Sequence, residues 1–174
     1  MNGKKQMDLG LFIIAVVAIA AFALLAMRFT QPTETNLDGI RIFSHGSAKE
    51  ALKQTLSKPL LVIEQDLYEG MDARNSMVGI VSSEITHSLA EYRKTVFVYG
   101  KVEGGEDIGC GELNHYCSQP DIIVRSGDCN CLKTGYPIEI EGTPDFLYNS
   151  TTKFRGIFEL VLNELAQENN QTSG

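Results

Sequence analysis

The run Lys58-Pro59-Leu60-Leu61-Val62-Ile63-Glu64-Gln65-Asp66 sets the class of this chain. Pro59 cannot continue a helix. The four apolar residues after it form an unbroken stretch of the kind a strand shows when both of its faces are covered, so the run reads as a central strand of an α/β sheet. An amphipathic helix is expected on either side. Ahead of the run, Ser47 followed three residues later by Glu50 is a capping box, and Ala48, Ala51, Leu52, Thr55 and Leu56 recur at helical spacing. Behind it, Met77, Val78, Val81, Ile85, Leu89 and Tyr92 repeat at three and four, which predicts a long helix from about Asp72 to Tyr92 that tolerates Gly79.

Further out the alternation continues. Ile40 to Phe43, Thr95 to Tyr99 and Ile122 to Val124 read as strands, and Pro137 to Glu141, PIEIE, alternates as a half-exposed strand should. Phe154, Ile157, Phe158, Val161, Leu162 and Leu165 form the stripe of a closing helix before the polar tail QENNQTSG. The expected fold is a three-layer α/β sandwich with a mostly parallel sheet and an antiparallel edge. Val62, Ile63, Phe97, Val98, Ile123, Phe158 and Val161 are expected to share one core. The order of elements is also similar to a thioredoxin-like arrangement. The Cys-x-x-Cys pair of that family would fall at Ser44 to Ser47 or Glu64 to Asp72, and neither junction holds a cysteine.

Toward the N-terminus, Leu9 to Met27 runs without one charge, preceded by Lys4 and Lys5 and followed at once by Arg28. About twenty apolar residues span a bilayer core, and the basic flank favours a cytoplasmic N-terminus. The expected organisation is a cytoplasmic segment over 1–8, a transmembrane helix over 9–28, a polar linker over 29–38 marked by Pro32, an extracytoplasmic α/β domain over 39–168 and a disordered tail over 169–174. Ala21 and Ala23 would also suit a cleaved signal peptide, although the apolar run continues past them. Gly3, then Asp8 five residues on, then a long apolar helix, resembles the prepilin leader, where cleavage after the glycine leaves an acidic residue at the fifth mature position. That resemblance covers the N-terminal segment alone and implies a pilin-like surface subunit. In that family the basic residues precede the glycine, whereas Lys4 and Lys5 follow it.

Charge narrows the partners. Lys4, Lys5 and Arg28 balance Asp8, Glu34 and Asp38, so the net of −7 belongs to the domain and argues against a nucleic-acid or anionic-lipid surface. The expected partners are the membrane, through the N-terminal helix, and a protein of the cell envelope.

All four cysteines fall in one stretch, Cys110, Cys117, Cys129 and Cys131, within a loop rich in Gly, Asn and Asp. Outside the membrane this reads first as two structural disulfides. A bridge between Cys129 and Cys131, so close in sequence, would be strained, so each of them is expected to pair with Cys110 or Cys117. A four-sulfur zinc site with His115 as a spare ligand and a redox-active Cys129/Cys131 pair are the alternatives. No cofactor is expected.

Other polar candidates are weaker. Glu64, Asp66, Glu69 and Asp72 follow the central strand, where α/β crevices open, and His45 at the end of the first strand could face Glu64 and Asp66 there. An acidic loop capping the next helix is the plainer reading. His87 falls off its helical stripe and is expected to be solvated, and Gly104-Gly105 and Gly109-x-Gly111 read as turns. Asn149 and Asn170 begin glycosylation sequons. The chain therefore reads as a membrane-anchored extracytoplasmic binding module with a disulfide-stapled loop, and an envelope thiol- or metal-dependent enzyme is the rival.

Overall fold

The computed structural model describes residues 16–22, 31–70, 72–110 and 114–172. Residues 16–22 are helical and exposed, and the remainder of the expected span over 9–28 lies outside the described residues. Among the described residues no helix is long and apolar enough to cross a membrane. Residues 1–32 and 33–174 are separate compact units.

The domain is a seven-stranded mixed sheet with helices. In chain order it comprises β1 (Thr33–Leu37), β2 (Ile40–Ser44), α1 (Ala48–Leu56), β3 (Leu60–Leu67), α2 (Ala73–Glu91), β4 (Thr95–Val102), the single turn α3 (Asn114–Cys117), β5 (Ile122–Ser126), β6 (Cys131–Thr134), β7 (Ile138–Gly142) and α4 (Pro144–Thr172). The spatial order is β1-β2-β6-β7-β5-β3-β4. Strands β7, β5, β3 and β4 are mutually parallel; β6 is antiparallel to β7, β2 is parallel to β6, and β1 closes the edge as a hairpin on β2.

Both predicted helix starts form as expected. The Ser47 hydroxyl accepts the Glu50 N–H at 3.3 Å, and Asp72 caps α2 by accepting the Arg74 N–H at 2.8 Å. The side-chain hydrogen bond from Arg74, aided by that backbone bond, holds the Asp72 carboxyl down at about 2.

Several expectations are corrected. Thr33–Leu37, inside the stretch read as a linker, is a strand, because Asp38 and Gly39 both adopt positive φ (51° and 82°) and make the tight turn that fits a two-residue hairpin. Cys131–Thr134 is a strand within the stretch read as loop. The final helix runs 29 residues to Thr172, through most of the expected tail.

The three-layer expectation is also corrected. Leu61, Ile63, Ile122, Val124, Ile138 and Ile140 share one core with Leu52 and Leu56 of α1, Val81 and Ile85 of α2, and Phe154 and Phe158 of α4, so all three long helices lie on a single face. The reason is the period of two along a strand. Ile122, Val124, Leu132, Ile138 and Ile140 of β5, β6 and β7 are buried toward the helices, while their neighbours Arg125, Lys133, Glu139 and Glu141 are charged, which leaves the second face, with Ile123 as its one large aliphatic residue there, too polar to bind a helix layer.

The same alternation divides the expected single core. Ile63, Val98, Phe158 and Val161 pack with the helices, whereas Val62 and Phe97 lie on the opposite face with Tyr99, Cys110, Tyr116 and Cys117. Both faces of β3 are therefore covered, as its apolar run required. Yet β3 stands sixth of seven strands rather than at the centre, and its second cover comes from Cys110, Tyr116 and Cys117.

Candidate functional site on the open sheet face

Strand register assembles two rows of side chains on the face away from the long helices. One row runs Arg41, Cys131, Glu141, Arg125, Asp66, Lys101 from β2 to β4; the next runs Phe43, Lys133, Glu139, Ile123, Glu64, Tyr99. Charge alternates in sign along the first row from Glu141 to Lys101, the second row contributes the adjacent pair Lys133 and Glu139, and cross-strand pairing of opposite charges stabilises a sheet.

The densest contacts surround Glu141. Its carboxylate meets Lys133 Nζ at 3.1 Å and Arg125 Nη2 at 3.3 Å, and Oε1 accepts the Cys129 N–H at 3.2 Å. Glu139 binds Arg125 at 2.6 Å and Lys133 at 3.1 Å. Burial opposes the charge of Glu141, but the Lys133 and Cys129 hydrogen bonds outweigh it, and its pKa lies below the ordinary glutamate value. Burial likewise opposes the Lys133 ammonium, and its bonds to Glu139 and Glu141 prevail, so its pKa is raised. Gly127 is needed beneath this cluster, since a Cβ there would stand 2.5 Å from Glu141 Oε1.

The cysteines stand as two disulfide-like pairs, Cys110 with Cys117 (Cα–Cα 6.1 Å) and Cys129 with Cys131 (5.3 Å). This corrects the expected cross-pairing, and strand order is the reason. Cys131 opens β6, whereas Cys110 packs beside Tyr99 of β4, four strands away, which is about 19 Å at ~4.8 Å per strand. The same separation removes the four-sulfur zinc site, and among the described residues no group of three or more His, Cys, Asp or Glu is placed to hold a metal ion. The Cys129–Cys131 loop is held in several ways besides its sulfurs. Arg41 donates to the Cys129 carbonyl, Asn130 takes a φ of 50° and accepts the Thr143 N–H at 2.9 Å, and Gly127 N–H reaches Gly142 O at 3.0 Å.

At the β3–β4 end Tyr99 is 2 % exposed, and its hydroxyl meets both the Glu64 carboxylate and the Cys117 carbonyl, the latter at 2.7 Å. Burial, with Glu64 beside it, pushes the Tyr99 phenol well up from its usual value. Lys101 Nζ lies 3.9 Å from Glu64. The Cys110–Cys117 pair thus fastens a lid over a buried acid–phenol contact.

The expected crevice joining His45 to Glu64 and Asp66 does not form. β2 and β3 are separated by β6, β7 and β5 and run in opposite directions, so their carboxyl ends lie at opposite ends of the sheet. His45 instead lines a pocket of about 390 Å³ with Gln54, Lys58, Thr134 and Tyr136, where Lys58 pairs with Asp121 at 2.5 Å. Asp66 faces Arg125 and Lys101 in register. His87 is exposed on α2, 3.2 Å from Glu91, and Asn149 and Asn170 are exposed on α4.

Sequence reasoning missed Arg41, Arg125, Lys133 and Glu139 as a group. Their signal was present as charged residues beside apolar ones in IRIF, IIVRS, CLKT and IEIE, with full alternation only in the last, but only the strand order brings them together. No known family, curated protein or solved structure matches the chain.

Proposed function

We propose that this chain is a membrane-anchored binding module that presents the open face of its sheet, centred on Arg41, Lys133, Glu141 and Arg125, to a folded protein partner on the extracytoplasmic side. The observation that carries the reading is the bare face of β5 and β7. Parallel strands are ordinarily covered on both sides, and here the parallel pair β5–β7 has helices on one side only. Interspersed charges of both signs fit a protein surface of complementary pattern better than a uniformly charged polymer, and the domain's net negative charge disfavours nucleic acid. The uncharged run Leu9 to Met27 behind Lys4 and Lys5 supports the anchor, and the two cysteine pairs suit an oxidising compartment.

A photo-crosslinking amino acid at Phe43 tests the face in native membranes. A discrete protein adduct is expected from Phe43, reduced at least tenfold by Arg41→Glu and absent when the probe sits at Tyr148 on α4. Adducts that are absent, indifferent to Arg41→Glu, or equal from both positions would refute the reading.

A further inference from the structure

We propose that Cys129 and Cys131 form a thiol–disulfide exchange site that oxidises a dithiol segment of another protein. Four observations converge on this pair. As a staple it is redundant: its sequence separation is 2, loop-closure stabilisation shrinks as the loop shortens, and β6 is already hydrogen-bonded to β2 on one side and β7 on the other. The exposures of the two sulfur-bearing residues differ, because Cys131 is fully buried at the start of β6 while Cys129 lies half-buried in the loop, which makes Cys129 the more accessible of the two to an incoming thiolate. The loop is held at Cys129 and Asn130 by contacts to Glu141, Arg41 and Thr143 that do not involve the sulfurs, a frame on which the bridge can open and close. Finally, Arg41 stands opposite Cys131 in β2 and its guanidinium donates to the Cys129 carbonyl, which sets a cation at the loop that carries the bridge, while Glu141, opposite Cys131 in β7, has its charge taken up by Lys133 and Arg125.

In the exchange, a thiolate of the partner attacks Cys129 Sγ; the Cys129–Cys131 bond breaks, and Cys131 departs as a thiolate that takes up the proton given up by the partner's second thiol. The second thiolate of the partner then attacks the partner's own sulfur in the mixed disulfide and releases Cys129. Two electrons pass from the partner, which leaves as a disulfide, to Cys129 and Cys131, which become thiols. A disulfide carrier of the same compartment restores the bridge by the reverse step.

The test uses full-length protein in detergent and small dithiols, so its outcome is independent of any docking partner. After equilibration with graded dithiothreitol, acid quench and alkylation, peptide mass spectrometry should show Cys129–Cys131 half-open at a concentration at least tenfold below that needed for Cys110–Cys117, with unchanged circular dichroism. Oxidised glutathione should accumulate as a mixed disulfide on Cys129 in reduced Cys131→Ser protein. A Cys110→Ser/Cys117→Ser variant should still oxidise one equivalent of a reduced dithiol peptide. Both pairs opening together, Cys129–Cys131 resisting until the protein unfolds, or no adduct on Cys129 would overturn the proposal.

Discussion

The Glu141 carboxylate accepts the backbone N–H of Cys129 at 3.2 Å, joining the end of β7 to the loop that leads into β6. The same carboxylate holds Lys133 and Arg125, so one side chain orders both the charged face and the cysteine loop.

Glu141→Gln should lower stability at neutral pH by about 1 to 3 kcal/mol, the range for breaking a hydrogen-bonded charged group that is largely out of water. Because the folded pKa of Glu141 is lowered, its contribution is fully present above the ordinary carboxylate value of 4.5 and is lost as pH falls through the lowered folded value. Urea midpoints should therefore differ between wild type and variant at pH 7 and converge progressively below pH 4.5. A gap independent of pH would mean that shape, not charge, is what Glu141 supplies.

Cys110→Ser removes a bridge closing a short loop with a sequence separation of 7, worth about 2 to 3 kcal/mol in the chain-entropy account. It should also loosen the cover that Cys110, Tyr116 and Cys117 form over Val62, Phe97 and Tyr99. Increased binding of a hydrophobic dye, together with faster amide exchange in β4, would report the opened lid.

Phe158 is fully buried where α4 meets the sheet. Truncation to Ala should cost ~3 to 5 kcal/mol, read from chemical denaturation. A midpoint within error of wild type would mean that α4 does not dock as described.

The anchor is tested by topology. The chain should remain with membranes through a carbonate wash, and the domain should be protected from protease added on the cytoplasmic side. Recovery of a soluble form beginning near Leu24 would replace the anchor with a cleaved signal peptide.

The sequence alone determined the local elements. The capping box at Ser47, the cap at Asp72, the alternating IEIE and the apolar run after Pro59 each act through neighbours a few residues away, and each formed where it was read. The hairpin at Asp38-Gly39 was legible too, through its turn signal, although the polar strand before it resembled a linker. What only the tertiary structure decided was adjacency. Strand order set β6 beside β2 and β7 and four strands from β4, which paired each cysteine with its near neighbour and parted His45 from Glu64. It also lined Arg41, Glu141 and Arg125 into one row across β2, β7 and β5. The physical reason is that side-chain direction follows from the local period of a strand, whereas the strand that comes alongside is chosen by burial of the whole apolar face, a property to which every element contributes and which no single segment carries.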